Sequence, residues 1–409
     1  VDGSAIFGAD APVDNAVVAV VLRCPHAGGR CGGWDADAAR RLPGVVDIFQ
    51  IESGIAVVAR NYWRARKAAE AVEVNWQRGE TPLQDSAAVD AALAAALDSG
   101  EFEVVRQDGS APTEAAASTL EVEYNAPFVA HATMEPQNAV VVPRGEAGAE
   151  VWVGSQGPDI AQAFAAKGYG VSKDKITVHN TFLGGGFGRR AAADNVQEAA
   201  EIAARLQQPV KLVWSREDDM RHDFYRPVMK ARLSAVVDDE GEVASYSHHI
   251  AAPSVNQSIM PHFLSAALPP WVPHGVGKTV GDFMGDKDHS SIEGVVDTGY
   301  SFRHFEVKYS NVPTPLTLGF WRSVGHSQNA FVIESFVDEL AHAAGRDPVE
   351  FRRAHLPEDS RQRRVLDQVV EMANWGNPAP GRYLGIAVHE SFHSVVAEVA
   401  EIAMEDGRP

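Results

Sequence analysis

The sequence predicts an α+β fold divided into more than one domain. Three observations carry this expectation. Short apolar runs of strand length recur from Val17 to His249, and three segments repeat apolar residues at helical spacing. A stretch rich in Gly, Pro, Ser and Ala, Gln107–Ser118, separates a compact α/β portion from a strand-rich one.

Taken in order, Val17–Leu22 is a continuous apolar run and reads as a buried strand. Leu42-Pro43-Gly44 turns the chain into a second strand, Val45–Ile51, and Gly54 precedes a third, Ile55–Ala59. Asn61 suits a helix N-cap, so a helix is expected to about Ala71, followed by an alternating strand through Val72, Val74 and Trp76. An Ala-rich helix is expected near Ala87–Leu97. Further strands are expected at Leu120–Tyr124, Ala139–Val142, Glu150–Val153 and Lys175–His179. Lys230–Val237 and Glu242–His249 flank a hairpin turn at Asp238-Asp239-Glu240-Gly241. Helical periodicity marks 194–206, 329–344 and 361–373. Residues 252–300 read as a long irregular region, of the kind that a function or a partner usually stabilises. Ser394–Met404 reads as a strand entering the Asp406-Gly407 turn, and the lack of a return strand suggests a continuation. The expected division is a compact α/β unit at 1–77, a helix and linker at 78–118, a large unit at 119–356 and the start of another at 357–409.

Composition narrows the function. The 409 residues are 45% hydrophobic and 22% charged, which fits a globular protein. A formal charge of −19 repels a phosphate backbone, so nucleic acid is not an expected partner. No stretch approaches the ~20 apolar residues of a membrane span. Cys24 and Cys31 fit no common metal spacing and read as two small loop or core residues.

Five motifs offer chemistry. Leu183-Gly184-Gly185-Gly186-Phe187-Gly188-Arg189-Arg190 lies between a strand and a helix. Its glycines allow close approach of a bulky anion, and the arginines and helix N-terminus suit phosphate. It matches neither a P-loop nor a dinucleotide fingerprint, and a glycine-rich turn without ligand is the plain alternative. Gly319-Phe320-Trp321-Arg322 gathers aromatics and a cation ahead of a helix, so Arg322 can hold an oxyanion or carbonyl. The adjoining Gly325-His326-Ser327-Gln328-Asn329 is a poor match to a nucleophile elbow. His389-Glu390-Ser391-Phe392-His393 matches a zinc signature, but β-branched neighbours disfavour the helix it needs, and a strand spreads the two histidines ~13 Å apart. His131 and Glu135 can serve acid–base work or simply local hydrogen bonds. Gln156, after a strand and before Gly157-Pro158, can aim an amide at a ligand.

Together the segments FLGGGFGRR, GFWRSVGHSQNAFVIESFVDELAHAAGRDPVEFRR, HATMEPQNA, VWVGSQGPDIAQ and GIAVHESFHSVVAEVAE resemble the molybdenum-binding large subunit of the xanthine oxidase family. The nearest branch is that of the isoquinoline 1-oxidoreductase β-subunit and the membrane-associated aldehyde dehydrogenases. The start, VDGSAIFGAD, resembles that family's hammerhead α/β domain. The implied fold is a hammerhead α/β domain followed by molybdopterin-binding α+β domains.

The resemblance also implies roles. Gln156 is similar to the glutamine whose amide meets an oxo ligand of molybdenum. Phe187 and Gly188 resemble the pair against the metal's ligands, with Gly184, Gly185, Gly186 and Arg189 around the pterin. Arg322 is similar to the metal-facing arginine, and Phe320 and Trp321 would border the substrate pocket. No residue of the chain is expected to ligate a metal directly. The implied reaction is oxidative hydroxylation, with water, of an aldehyde or N-heteroaromatic carbon. The implied cofactor is molybdopterin cytosine dinucleotide carrying molybdenum and shared with other segments. A [2Fe-2S] small subunit, and in some relatives a cytochrome c subunit, would take the electrons. A periplasmic or membrane-associated place follows from the branch, and a cytoplasmic one stays open.

Two departures accompany the resemblance. The family's base glutamate sits in a Gly-Val-Gly-Glu-Pro segment, and a Met-Gly-Gln-Gly loop also binds the cofactor; neither occurs here. His393 stands where the family usually has glycine. The chain is therefore expected to carry part of a site completed by other large-subunit segments. The competing expectations are a zinc hydrolase through His389, Glu390 and His393, and an inactive structural fragment.

Overall fold

The computed structural model describes residues 2–80, 85–111, 118–268, 279–280 and 288–409. Strands numbered in chain order are β1 Val17–Leu22, β2 Arg30–Asp35, β3 Val45–Ile51, β4 Gly54–Ala59, β5 Glu73–Gln77, β6 Glu103–Asp108, β7 Ser118–Ala126 and β8 Asn138–Pro143. They continue as β9 Ala149–Val153, β10 Ile176–Asn180, β11 Val210–Val213, β12 Met229–Val237, β13 Val243–Ala252, β14 Phe305–Asn311, β15 Arg382–Ser391 and β16 Ser394–Ala403.

The larger sheet runs β10-β9-β8-β11-β1-β4-β3. Its two faces are both covered, which explains why Gly54–Ala59 is buried along its whole length and apolar without alternation. One face packs Val141, Val151 and Leu212 against Phe164, Val196 and Ile202 of the helices Pro158–Tyr169 and Asp194–Leu206. The other packs Val20, Ile48 and Val57 against Ala65 and Ala68 of the helix Tyr62–Ala69. Asn61 caps that helix, its side chain accepting from the Arg64 N–H.

Parallel pairing of β1 with β11, Val17 opposite Val210, crosses the boundary expected at residue 77. The N-terminal α/β unit therefore shares a sheet with residues 138–213 instead of standing apart.

The second sheet runs β6-β14-β13-β12-β7. Alternate residues Ala231, Leu233, Ala235, Ile250 and Val307 face the helix His326–Ala343 through Val332, Phe336, Val337 and Leu340. The linker expected from Gln107 begins inside β6, because Gln107 pairs with Glu306; residues 112–117 of it lie outside the described residues. The irregular region expected at 252–300 holds a helix, Val255–Ala267, capped by Ser254 and carrying Pro261 internally. A short helix, His289–Ile292, follows; residues 269–278 and 281–287 lie outside the described residues.

β15 and β16 make a two-stranded sheet turned by Phe392-His393, with φ of 47° and 61°. Two consecutive positive φ values match the twist of a tight hairpin. Ile386 and Val388 carry this hairpin into the second core. Glu334 anchors it: its carboxylate accepts from Val388 N at 2.8 Å and Tyr300 Oη at 2.8 Å, and pairs with Arg352. The outer edge of β16 is unpaired among the described residues, and Tyr383, Val396 and Ile402 stand exposed on the outer face.

Candidate cofactor site

The glycine-rich loop leaves β10 and is gripped from inside. Glu135 accepts from the Gly184 N–H at 2.8 Å, and Gly184 O accepts from Glu135 N at 3.0 Å. The backbone then turns left-handed at Gly185, Phe187 and Gly188, with φ of 94°, 55° and 109°. A Cβ on Gly188 would lie 1.6 Å from the carbonyl oxygen of Phe320, so that position requires glycine both for its φ and for space.

Arg189 and Arg190 do not reach outward. Arg189 is 1% exposed; it forms a two-bonded pair with Asp194 at 2.8 and 3.0 Å, and its Nε lies 2.9 Å from Asp223. Arg190 donates to the carbonyls of Gly185, Gly154 and Glu135. The expectation that Arg189 binds cofactor, and that the arginines and the following helix N-terminus hold phosphate, is corrected here. Both guanidiniums are consumed within the chain, and the carboxylate of Asp194 occupies the first turn of that helix. The arginines brace the loop.

Gln156 stands where this loop meets the end of β9. Its N–H donates to Arg190 O at 3.0 Å, and its Oε1 accepts from the Gly188 N–H at 3.0 Å. With Oε1 engaged, the amide Nε2 is the group presented to the exposed side. The N–H groups of Gly185, Gly186 and Phe187 have no partner among the described residues.

The second loop crosses the first. The Arg322 N–H donates to Phe187 O at 2.7 Å. Ser323 and Val324 then adopt φ of 71° and 47°, a costly state for β-branched valine that cohesive surroundings must impose. The Arg322 guanidinium is exposed and has no carboxylate partner among the described residues. Trp321 lies over the ring of His131, centroids 4.8 Å apart. His131 Nδ1 faces Asp223 at 3.0 Å and Nε2 faces Phe320 O at 3.1 Å. Phe187, Phe182 and Met134 are exposed at 43%, 67% and 87%. A cleft of about 480 Å³ lined by Ile6, Trp152 and Phe182 includes neither Gln156 nor Arg322.

The folded chain thus brings together Gln156, Gly186–Gly188, Phe320, Trp321 and Arg322 and buries Arg189. Glu135 accepts from the backbone of the glycine loop and pairs with Arg190, the local hydrogen bonding that is the plainer expectation. Asp223, 92 residues from its partner His131, had no motif to reveal it. The zinc arrangement fails on geometry: His389 lies on β15, His393 lies in the turn, and His389 Nε2 meets His326 Nδ1 at 2.9 Å. Among the described residues no group of three His, Cys, Asp or Glu side chains could hold a metal ion. Ser327 lies inside the helix His326–Ala343 with no strand feeding it, so no nucleophile elbow forms.

A protein-family model described as the molybdopterin cofactor-binding domain matches residues 96–260 and 279–356, more than half of the chain. The chain belongs to the molybdopterin cofactor-binding family. It is similar to the isoquinoline 1-oxidoreductase subunit beta of Brevundimonas diminuta, 30% identical over 98% of this chain and 51% of the relative. It is also similar to a membrane-bound aldehyde dehydrogenase of Gluconacetobacter polyoxogenes, 26% identical over 92% of this chain and 50% of the relative. The crystal structure of quinoline 2-oxidoreductase from Pseudomonas putida superposes with a TM-score of 0.69 at 18% identity, covering 95% of this chain and 55% of that one. This last likeness concerns the fold, which is that of molybdenum hydroxylase large subunits. The chain spans about half the length of these relatives.

The residues present fit molybdopterin. The cofactor is flat, anionic and rich in acceptors. The two loops offer consecutive backbone N–H donors at Gly185–Phe187, the Gln156 amide and an exposed guanidinium at Arg322 with no carboxylate partner among the described residues. No helix among the described residues is long and apolar enough to cross a membrane.

Proposed function

We propose that this chain forms part of the cofactor pocket of a molybdenum hydroxylase acting on an N-heteroaromatic or aldehyde carbon, with water as oxygen source. The observation that carries the reading is the crossing of the two loops at Phe187 and Arg322, which joins the loop that orients the exposed Gln156 amide to the loop that carries exposed Arg322. When bound, molybdopterin would supply the two-electron oxidation, and everything else asked of this chain is orientation.

Each side chain then has a task. Gln156 would help to hold the bound group through its Nε2, whose direction is fixed by the Gly188 N–H on Oε1. Arg322 balances negative charge on the bound group and on the reacting substrate. Gly184, Gly185 and Gly186 let the pterin lie against the backbone, and Phe187 closes its edge. Phe320 and Trp321 border the substrate space, where a flat ring packs against aromatic surface. The base glutamate and the remaining cofactor loop belong to other large-subunit segments. In this reading the [2Fe-2S] clusters lie on a partner, which the two cysteines of this chain support, since a cluster takes four thiolates. The cytosine dinucleotide form, a cytochrome c acceptor and a periplasmic or membrane-associated place belong to the same reading.

The test is metal analysis of the chain co-expressed with the segments that complete its relatives and a [2Fe-2S] subunit. Stoichiometric molybdenum with oxidation of isoquinoline, quinoline or an aromatic aldehyde supports the proposal. Zinc without molybdenum overturns it, and neither metal identifies a structural fragment.

A further inference from the structure

Two groups hold the crossing loops from behind, and neither faces the exposed side. Asp223 and His131 have side chains only 1% exposed. Asp223 accepts from the backbone N–H of His131, faces His131 Nδ1, and accepts from Phe224 N at 2.8 Å. Its Oδ1 also lies 2.9 Å from Arg189 Nε. From this one carboxylate two short routes run forward. The first passes through Arg189 to its neighbour Gly188, whose N–H fixes the Gln156 amide. The second passes through the His131 ring to Phe320 O and, by stacking, to Trp321, the residue before Arg322. The loops so joined are more than a hundred residues apart in sequence, yet the buried acid reaches both, one through Arg189 and the other through His131.

We infer that Asp223 and His131 are positioning residues that fix the Gln156 amide and the Arg322 loop relative to one another. The inference rests on the proposed cofactor role of those loops. A buried carboxylate is costly unless donors and cations surround it, so its surroundings are set closely. Outer-shell groups of this kind orient the residues that touch a metal or its ligands, and their loss typically costs roughly 10- to 100-fold in affinity or activity. Neither residue touches the cofactor face; both act through another.

The test has two readouts. In the isolated full chain, hydrogen exchange is followed in peptides covering 184–190 and 319–325 for Asp223→Asn and His131→Phe. His131→Phe keeps a ring against Trp321 and removes its links to Asp223 and Phe320 O, so 319–325 should lose protection; Asp223→Asn, which weakens both routes, should loosen both peptides together while the global melt stays cooperative. His131→Asn keeps a donor toward Asp223 and drops the Phe320 link, so it should loosen 319–325 alone. It also serves if the phenylalanine variant does not fold. In the co-expressed assembly, both Asp223→Asn and His131→Phe should lower kcat or molybdenum content roughly 10- to 100-fold, leave KM within about threefold, and alter the Mo(V) paramagnetic spectrum. Folded variants with unchanged exchange in both peptides would overturn the inference. So would unchanged exchange coupling with an unaltered spectrum and kcat. If the unsubstituted assembly holds no molybdenum, the cofactor reading fails, and the exchange result still decides whether Asp223 couples the loops.

Discussion

The carbonyl oxygen of Phe320 occupies the place where residue 188 would carry a Cβ, 1.6 Å away. Gly188→Ala therefore pushes on backbone and not on a flexible side chain, and also forces φ of 109° on a residue that resists it. We expect the loops to separate, with molybdenum content of the assembly falling at least tenfold and the melting temperature dropping by several degrees. Retention of both values in Gly188→Ala would show that the contact yields easily.

Arg322 and Arg189 should part company under the same substitution. Arg322→Ala removes an exposed cation that has no carboxylate partner among the described residues, so stability should change by less than ~0.5 kcal/mol while activity falls sharply. Arg189→Ala strips Asp194 and Asp223 of a buried partner and should cost about 3–5 kcal/mol. Denaturant melts beside turnover measurements separate the two; equal losses of stability would contradict the buried and exposed assignments.

Glu334 ties the β15–β16 hairpin to the second core through Val388 N, Tyr300 and Arg352. Glu334→Ala leaves Arg352 short of a partner and a strand N–H unsatisfied. A loss of about 3–5 kcal/mol is expected, with the hairpin peptides 382–403 exchanging fastest. A variant that melts like the parent would show that the hairpin is held by Ile386 and Val388 alone.

Acid should loosen the fold before carboxylates matter. Burial pulls His248 down to about 3 and His222, His249 and His389 down to about 4. These rings are neutral in the fold, whereas the unfolded chain takes up their protons from about pH 6.5 downward. The unfolded state then binds more protons, so the stability present above pH 6.5 is lost as pH falls toward 4. Melting temperature should drop steadily between pH 7 and 5, and a flat profile across that interval would contradict these shifts.

Most strands were legible because each is either continuously apolar or strictly alternating, and Asn61 marked its helix start. The hairpin turn was not, since Phe392-His393 fills positions where Asn-Gly is the usual signal. β2 was hidden by its internal Gly32-Gly33, and the helix Val255–Ala267 by Pro261. Within the site, glycine spacing and Gln156 were readable from neighbours in sequence. The fate of Arg189 was not, because its acid partner Asp223 lies beyond any motif, and an arginine beside glycines looks alike whether it faces inward or out.

The unpaired margin of β16 carries a practical consequence. On that margin alternate residues of β16 turn their backbone N–H and C=O outward with no strand partner among the described residues, and with Val396 and Ile402 exposed beside them they make a template onto which an extended peptide can zip. A preparation of this chain alone should form concentration-dependent aggregates. Val396→Lys should clear them in sedimentation without altering the melt, so solubility would serve as an early report on whether a companion polypeptide has docked.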